Sequence, residues 1–437
     1  KDLRHELANM MEKTGAVGCE EARQLASWDM FDQNASSSFF DPQWMFDVKE
    51  GFDIVIANPP YGYIFKDKSY LPQITKKYSV AEYKVDAYSV FTECGYNLIS
   101  SKGILCFIMP YTFISGVYFS KFRSYLQNVG LNNLVILGRK VFEAAEVDTT
   151  IITIEKGHKN NKVTIADLRD RKVLNLTSFP SYNITRNKFF ALTDEVLLIA
   201  EEEKTNLYLK LVGKAQCKLS NVVAFYHGIQ TRGNKKALTN TKFGDNFLPI
   251  IKGANFNRYH IDYDGLYINF IPSNVKSGGD LSYYQVPQKL VLRTTADKIV
   301  AAIDTNQYLA LNSVNVAVPI KASVDIFYIL GVINSKLIDF WYTLTVQEKN
   351  KTFAEVKIVY LERIPILDLP VESQLPIIKK VHELISYRDS MRVAQLERAI
   401  DLMVYKLYGL TYDEVKVVDP ETTITEEEYE REISKQS

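Results

Sequence analysis

The apolar segment at residues 52–57, Phe-Asp-Ile-Val-Ile-Ala, restricts the possible folds of this chain more than any other feature. Its β-branched side chains favour a strand, and the strand must stop before Pro59 and Pro60 because proline cannot donate a ladder hydrogen bond. A continuous apolar run that ends at a loop is typical of a strand buried in a parallel sheet. We therefore expect a buried parallel strand whose carboxyl end opens into the loop at residues 58–61.

Strand-like and helix-like segments alternate after this strand. Apolar residues recur at helical spacing over residues 85–100 and near 119–128. Continuous apolar runs at 104–109, 134–137 and 149–154 predict further strands. This alternation predicts an open, mostly parallel α/β sheet.

The character of the sequence changes after about residue 155. Residues 210–365 are rich in Tyr, Asn and Gly with short β-prone runs, which indicates a separate α+β domain. A pair of helices is expected over 373–409, followed by an exposed acidic tail at 421–432. The four units expected from these changes are 1–155, 156–209, 210–372 and 373–437.

The charges are segregated although the formal net charge is zero. Lys and Arg against Asp and Glu give −4 over residues 1–155, +2 over 156–209, +8 over 210–365 and −6 over 366–437. A basic middle between acidic ends suggests one domain that contacts a polyanion, although an excess of solvated lysines would give the same count.

The cysteines and the apolar runs bear on the location of the protein. Cys19, Cys94, Cys106 and Cys217 show no paired spacing, which fits buried thiols in a reducing compartment. No apolar run reaches the length that a membrane span needs. We therefore expect a cytoplasmic protein without a membrane partner.

The tetrapeptide Asn58-Pro59-Pro60-Tyr61 stands beyond the carboxyl end of a strand, where ligand sites of open α/β sheets lie. The exocyclic amine of adenine is planar and a poor nucleophile because its lone pair is delocalised into the ring. The side-chain carbonyl of Asn58 and the main-chain carbonyl of Pro59 would accept its two hydrogens and favour the reactive geometry. Pro60 stiffens the turn, and Tyr61 offers an aromatic face to a flipped base. The motif indicates amine methylation; the competing interpretation is a tight turn with a surface tyrosine.

Around this motif the chain resembles the gamma-class adenine-N6 DNA methyltransferases that carry a TaqI-like specificity domain. These include fused restriction–modification proteins of the Type IIG kind and related phage-defence methylases. The resemblance covers most of the chain and lies, in its first part, in Asp53 with residues 58–62, 86–91, 103–110 and 141–150. It implies a Rossmann-like methyltransferase sheet, S-adenosylmethionine as the methyl donor and double-stranded DNA as the substrate.

The resemblance also assigns site residues. Phe142 takes the position of a second aromatic ring that sandwiches the flipped adenine, although a phenylalanine taken alone is more often a core residue. Asp29, in the segment 27–31, takes the position of an acidic residue that contacts the adenine ring of S-adenosylmethionine. Asp32 is the alternative, and a helix N-cap is the competing role for Asp29. Asn58 is expected to contact the cofactor as well.

The family's Gly-rich loop and acidic ribose ligand have no counterpart among the 28 residues before Asp29. We therefore expect a partial sheet that lacks its first strands, in a chain truncated at its N-terminus. The S-adenosylmethionine site would then be incomplete, and this piece would be inactive by itself.

The basic middle of the chain resembles a TaqI-like specificity domain. The resemblance lies in residues 225–234, 247–259, 289–295, 330–335 and 361–367. Loops that mix cations and amides with Tyr and Gly suit contacts to phosphates and base edges. The candidates for DNA contacts are Arg232, Lys235, Lys236, Lys252, Arg258 and Arg293. Each of these taken alone is more simply a solvated charge, and only the cluster indicates DNA.

Three other interpretations fit part of the pattern. Methylation of a glutamine amide in a protein needs the same two acceptors but has no use for a DNA-reading domain. A recognition module without catalysis would bind and flip a base without methyl transfer. The tripeptide Glu355-Val356-Lys357 fits half of a metal-dependent nuclease motif, but its position inside the specificity pattern favours a structural strand. The scattered histidines and cysteines suggest no metal site.

Overall fold

The computed structural model of this chain describes residues 2–15, 18–28, 42–63, 68–82, 85–138, 141–142, 147–157, 160–169, 179–347 and 355–434. Two parts follow each other along the chain. The first is built on one large mixed sheet, and the second on several smaller sheets covered by helices.

The sheet of the first part determines where the candidate site lies. Its strands are β1 (Phe52–Ala57), β2 (Ile99–Pro110), β3 (Leu131–Gly138), β4 (Thr149–Glu155), β5 (Lys162–Asp167) and β6 (Tyr182–Thr185). They lie in the order β1-β2-β4-β3-β5-β6. β1 pairs in parallel with β2, and β3 with β5, whereas β4 and β6 run antiparallel to their neighbours. Four of the six strands thus run in one direction, as the alternation predicts, and the carboxyl ends of β1, β2 and β3 share one edge.

Helices precede, alternate with and follow these strands along the chain. They are α1 (Asp2–Lys13), α2 (Cys19–Ser27), α3 (Pro42–Phe46), α4 (Leu71–Lys77), α5 (Ala87–Leu98), α6 (Ser120–Val129), α7 (Arg186–Phe189) and α8 (Glu202–Lys214). Helices α5 and α6 match the helical spacing at 85–100 and 119–128. Their apolar faces bury Tyr88 and Phe122 against Leu105 and Leu134 of the strands, so hydrophobic burial fixes the strand ends relative to the helices.

The first strand is less buried than its sequence predicts. Val55 and Ala57 pack against the core, whereas Ile54 and Ile56 are 64% and 77% exposed. Successive side chains of a strand point to opposite faces, and among the described residues β1 pairs only with β2. Among the described residues β1 is therefore an edge strand. The expectation that this strand is buried on both faces is wrong for these residues.

The second part combines short strands with long helices. Its strands are β7 (Cys217–Lys218), β8 (Val223–His227), β9 (Gln230–Thr231), β10 (Leu238–Thr239), β11 (Phe247–Ile251), β12 (Tyr267–Asn269), β13 (Val275–Ser277), β14 (Lys289–Arg293), β15 (Ala301–Asp304), β16 (Leu309–Ala310), β17 (Val314–Pro319) and β18 (Pro365–Ile366). Its helices are α9 (Asn234–Ala237), α10 (Ile326–Ile333), α11 (Lys336–Val346), α12 (Ile358–Leu361), α13 (Val371–Ser386), α14 (Ser390–Leu407), α15 (Tyr412–Val418) and α16 (Glu426–Ser434). The expected α+β character is thus confirmed.

An antiparallel sheet in the order β15-β14-β17-β8 divides the second part into two cores. Alternate residues explain the division. Leu290 and Leu292 of β14 pack with helices α10, α11 and α14, whereas Val291 packs with the strands β11, β12 and β16 on the opposite face. The helix-side core also includes α8 and residues of α15 and α16, so it crosses the expected boundaries near 210 and 373.

The acidic tail is packed, contrary to the expectation of an exposed segment. Tyr429 of α16 is fully buried, and its hydroxyl donates to the carbonyl of Leu410 at 2.8 Å. Arg398 donates to Glu428 at 2.6 Å. Burial of the Tyr429 ring stabilises the packed position of this segment, while the carboxylates of the surrounding glutamates remain at the surface. No helix in the described ranges is long and apolar enough to span a membrane.

Candidate active site

The motif at residues 58–61 follows the carboxyl end of β1, beside the parallel strand β2. The side chain of Asn58 is exposed and makes no hydrogen bond within the described part of the chain, while Pro59 is buried and Pro60 is exposed. The buried Pro59 anchors the loop, and the exposed Asn58 side chain can accept a hydrogen bond from a ligand.

Tyr61 lies half-buried at the end of the motif. Its ring packs against the core of the sheet, and its hydroxyl is buried without a hydrogen-bond partner among the described residues. Burial raises the pKa of this hydroxyl, so it remains a neutral donor. An unpaired buried hydroxyl costs stability, which makes it a group that a bound ligand can satisfy.

Asp86 clamps the loop from the start of α5. The main-chain N–H of Gly62 donates to Oδ1 of Asp86 at 2.8 Å, and the N–H of Ala87 donates to the carbonyl of Gly62 at 3.1 Å. Gly62 has φ of +81°, a left-handed conformation that suits glycine. Burial raises the pKa of the Asp86 carboxyl, while nearby main-chain amides act against that shift. Sequence reasoning missed this role, although an Asp directly before a helix was a visible signal.

The wall behind the loop is aromatic. Tyr88 is fully buried, its hydroxyl lies 3.1 Å from the hydroxyl of Thr112, and its ring stacks on Phe119 at 5.7 Å between centroids. Burial raises the pKa of Tyr88 well above its usual value. These contacts join α5 to the residues after β2, so the two strand ends form one rigid unit.

The buried Arg123 of α6 holds the chain that follows β2. Its guanidinium donates to the main-chain carbonyls of Phe113 at 2.8 Å, Gly116 at 2.7 Å, Thr193 at 2.5 Å and Asp194 at 3.0 Å. Burial lowers the pKa of Arg123 to about 10, so it remains charged at neutral pH. The cation is therefore a structural clamp below the site.

Phe142 follows the carboxyl end of β3, at the same edge as Asn58 and Tyr61, and is half-buried. β3 lies three positions from β1 in the sheet, which is about 14 Å at the usual strand spacing. The two predicted aromatic residues thus follow strands whose carboxyl ends lie at one edge of the sheet. Asp29 and its alternative Asp32 lie outside the described residues.

The edge of the first sheet that carries residues 58–61 is joined to the second part at the end of α11. The hydroxyl of Tyr111, which directly follows β2, donates to the main-chain carbonyl of Gln347. Arg169, paired with Asp167 at 2.7 Å, donates to the same carbonyl at 2.6 Å and lies over the Tyr111 ring. Gln347 has φ of +57°, which turns the chain out of the helix here. This junction was not predicted from the sequence.

Four of the six basic candidates for DNA contacts lie in loops or on the short helix α9 of the second part. Arg232 and Lys236 are exposed beside β9, whereas the side chain of Lys235 lies outside the described residues. Lys252 is partly exposed and pairs with Asp264 at 2.9 Å. Arg232, Lys236 and Lys252 remain open to a polyanion, because surface pairs of this kind are weak.

The other two arginines are engaged inside the protein. Arg258 donates to Asp339 at 2.6 Å and to the carbonyl of Ile299 at 2.9 Å, and its side chain is 15% exposed. Arg293 donates to the carbonyl of Phe256 and lies over that ring. The geometry argues against a DNA contact by Arg258, because breaking a buried pair costs more than a surface contact returns.

No cluster of histidine, cysteine, aspartate or glutamate with metal-site geometry occurs among the described residues. In the same ranges, the residues that stand at the site are an amide, prolines and aromatic rings. They can accept hydrogen bonds from an amine and stack on a flat ring, and these are the two functions that the motif requires.

Two family models match the chain. Residues 4–142 match the Eco57I restriction-modification methylase, and residues 248–366 match the TaqI-like C-terminal specificity domain. The chain thus carries a region that matches a restriction-modification methylase, followed by a region that matches a TaqI-like specificity domain. The family expected from the motifs is therefore confirmed.

Curated relatives agree with these matches. A protein of Methanocaldococcus jannaschii named as a type II restriction enzyme and methyltransferase is 25% identical over 387 residues, which is 82% of this chain and 31% of the relative. The type II restriction enzyme and methyltransferase Eco57I of Escherichia coli is 27% identical over 197 residues, 42% of this chain and 19% of the relative. The chain thus spans less than a third of the length of either relative.

A solved structure shares the fold. The Type IIL restriction-modification enzyme MmeI, in complex with DNA, superimposes with a TM-score of 0.53 and 11% identity over 87% of this chain and 57% of MmeI. Identity at this level shows the fold alone. The superposition covers both parts of the chain, so their succession along the sequence is shared.

Proposed function

We propose that this chain is the base-handling and DNA-reading part of a site-specific adenine-N6 DNA methyltransferase that uses S-adenosylmethionine. The protein would act on double-stranded DNA within a restriction–modification system in the cytoplasm. The single observation that carries the proposal is the free amide of Asn58 at the strand end, on a loop clamped by Asp86 beside the half-buried Tyr61.

The residues of the loop handle the flipped adenine. The Asn58 side-chain carbonyl and the Pro59 main-chain carbonyl accept the two N6 hydrogens, which directs the nitrogen lone pair away from the ring plane. Tyr61 stacks on one face of the base, and Phe142 is the candidate for the other. The second N6 proton leaves after transfer, so no general base needs to act first. Catalysis then rests on positioning.

The methyl donor meets this part of the site at Asn58. S-adenosylmethionine, when bound, supplies a methyl carbon on a positive sulfonium, and the carbon–sulfur bond breaks as the carbon–nitrogen bond forms. Asn58 is exposed just after the end of β1 and would contact the donor there. Asp29, the other candidate, lies outside the described residues.

The second part of the chain is the proposed DNA-binding region. Its net charge of +8 over residues 210–365 and its match to the TaqI-like specificity domain support DNA rather than a protein glutamine as substrate. Arg232, Lys236 and Lys252 are the candidates for phosphate contacts. Lys235 remains a candidate from the sequence alone, and the expected division at 155, 209 and 372 remains a proposal.

Substitution of Asn58 tests the proposal in the natural full-length protein. Asn58→Ala is expected to abolish methyl transfer to duplex DNA while the dissociation constant for that DNA stays unchanged. Asn97→Ala is the matched control, because Asn97 is exposed at the far end of α5. Transfer at the wild-type rate by the Asn58 variant would remove this residue from the mechanism.

A salt series tests the DNA substrate separately. DNA binding through phosphates releases counterions, so the affinity for duplex DNA is expected to fall steeply between about 50 and 200 mM salt. Absent or salt-insensitive binding would contradict a DNA substrate. Methyl transfer to a glutamine-containing protein in the same assay would favour the alternative substrate.

A further inference from the structure

We propose that a polar groove at one end of the sheet β15-β14-β17-β8 reads base edges in DNA, and that Asn312 and Lys357 are its specificity-determining residues. The groove encloses about 560 Å³ between the sheet and the segment that leads into α12. Its lining includes His227, Thr295 and Glu355. The inference rests on the proposed function and deepens it.

The floor of the groove is rigid. Asn315 of β17 is 1% exposed, and its amide nitrogen donates to the carbonyl of Val356 at 3.2 Å. The amide oxygen of Asn315 lies 3.2 Å from Nδ1 of His227, its direct partner on β8. The N–H of Val356 donates to the carbonyl of Thr294 at 2.8 Å. These bonds fix the tripeptide at 355–357 to the sheet, as a single bridge between Thr295 and Glu355 rather than the expected strand.

The rim carries exposed or partly exposed polar side chains. Asn312 is exposed, its main-chain N–H donates to the carbonyl of Ile229 at 2.9 Å, and its side-chain amide makes no hydrogen bond within the described ranges. Lys357 has Glu355 as its ionic neighbour at 3.9 Å, with side chains 44% and 67% exposed. Base reading requires polar side-chain atoms that are available for hydrogen bonds on a fixed backbone. Ordering a mobile backbone on binding would cost additional entropy.

The chemistry of these groups matches base edges. An Asn amide can bond the N6 and N7 of adenine together, and a Lys ammonium can donate to the O6 and N7 of guanine. Glu355 can accept from the amino group of cytosine. The residues that line the groove include no Tyr, Phe or Trp, so it suits the edges of stacked bases rather than the face of a flipped one.

The groove lies close enough to the sheet edge that carries residues 58–61 for one duplex to reach both. Gln347 touches Tyr111 at that edge, and Glu355 follows Gln347 by eight residues. A chain of eight residues spans at most about 28 Å. Base pairs repeat every 3.4 Å, so this distance corresponds to at most about eight base pairs. A recognition site of ordinary length therefore fits between the two.

The test uses the natural full-length protein, a library of randomised DNA duplexes and sequencing of the methylated sites. In Lys357→Gln and Asn312→Ala, discrimination at one base position each is expected to fall about tenfold to a hundredfold, with the other positions unchanged. Lys416→Gln is the matched control, because Lys416 lies on α15, where its half-exposed side chain contacts its helix neighbours Asp413 and Tyr412. Thermal melting of each variant confirms that it is folded.

The outcomes separate this inference from the proposed function. An unchanged recognition sequence in both variants, or a uniform loss of activity on all sequences, would overturn base reading by Asn312 and Lys357 and leave the methyltransferase proposal intact. A uniform loss is what a phosphate contact gives. A full-length wild-type protein that methylates no duplex would instead refute the proposed function, and the inference with it.

Discussion

Replacing Asp86 by alanine should slow methyl transfer without weakening DNA binding. The substitution removes the acceptor for the Gly62 N–H, now at 2.8 Å, and with it the clamp on the loop that carries Asn58. A hydrogen bond to a carboxylate contributes about 1.5–3 kcal/mol. If that energy holds the loop in its productive geometry, its loss corresponds to about a tenfold to 150-fold lower kcat, since 1.36 kcal/mol is a factor of ten.

The conservative variant gives the matched comparison. Asp86→Asn keeps an oxygen acceptor without the charge, so the bond to Gly62 weakens to about 0.5–1.5 kcal/mol but is retained. We expect a loss of at most about tenfold, and a smaller loss than in Asp86→Ala. The order wild type, then Asn, then Ala is what a positioning role predicts.

The assay is the initial rate of methyl transfer to a duplex at saturating S-adenosylmethionine, with the DNA dissociation constant measured separately. A positioning residue should change kcat and leave the affinity for DNA nearly unchanged. A wild-type kcat in Asp86→Ala would refute the clamp. Equal losses in both variants, accompanied by a lower melting temperature, would show that Asp86 supports the fold instead.

Three further outcomes are expected. Tyr61→Ala should lower methyl transfer about fivefold to 150-fold through lost stacking, whereas Tyr61→Phe should keep most of the activity; equal loss in both would assign the role to the hydroxyl. Lys289→Met leaves the fully buried Asp304 carboxylate without its cation, although the N–H groups of Asn306 and Tyr308 still donate to it at 2.8 and 2.9 Å. The free energy of unfolding should fall by about 3–5 kcal/mol in urea titrations, against less than about 1 kcal/mol for Lys380→Met, whose ion pair with Glu383 is partly exposed. Burial raises the pKa of the Asp401 carboxyl to about 7, so the folded state binds its proton more tightly than the unfolded chain does. The contribution of this group to the free energy of unfolding is therefore complete below about pH 4 and is lost as the pH rises toward 7. Asp401→Asn should therefore raise the urea midpoint at pH 8 more than at pH 5, and an equal change at both would contradict the shift.

The parts of the fold that depend on local periodicity could be predicted from the sequence. The apolar runs at 104–109, 134–137 and 149–154 lie in β2, β3 and β4, because a strand buried in a sheet leaves a continuous apolar run in the sequence. The motif at 58–61 was equally visible, since its residues are consecutive. Its position at the carboxyl end of a parallel pair follows from the run of β-branched residues before it.

The contacts between distant residues could not be predicted in this way. Gly62 and Asp86 are 24 residues apart, and Arg258 and Asp339 are 81 apart, so no local spacing marks either pair. Counting charges in the sequence therefore treats Arg258 as a surface cation, although it forms an ion pair with Asp339 in the structure. The tail was misjudged for the same reason, because the charges around Tyr429 are local whereas the core that buries its ring is not.

Nucleoside analysis of methylated DNA tests the central proposal most directly. The natural full-length protein is incubated with duplex DNA and S-adenosylmethionine, the DNA is digested, and the methylated nucleosides are identified by mass spectrometry, with Asn58→Ala in parallel. We predict N6-methyladenine with the wild-type protein and none with the variant. N4-methylcytosine or 5-methylcytosine as the product, or N6-methyladenine at equal levels from both proteins, would contradict adenine methylation at Asn58.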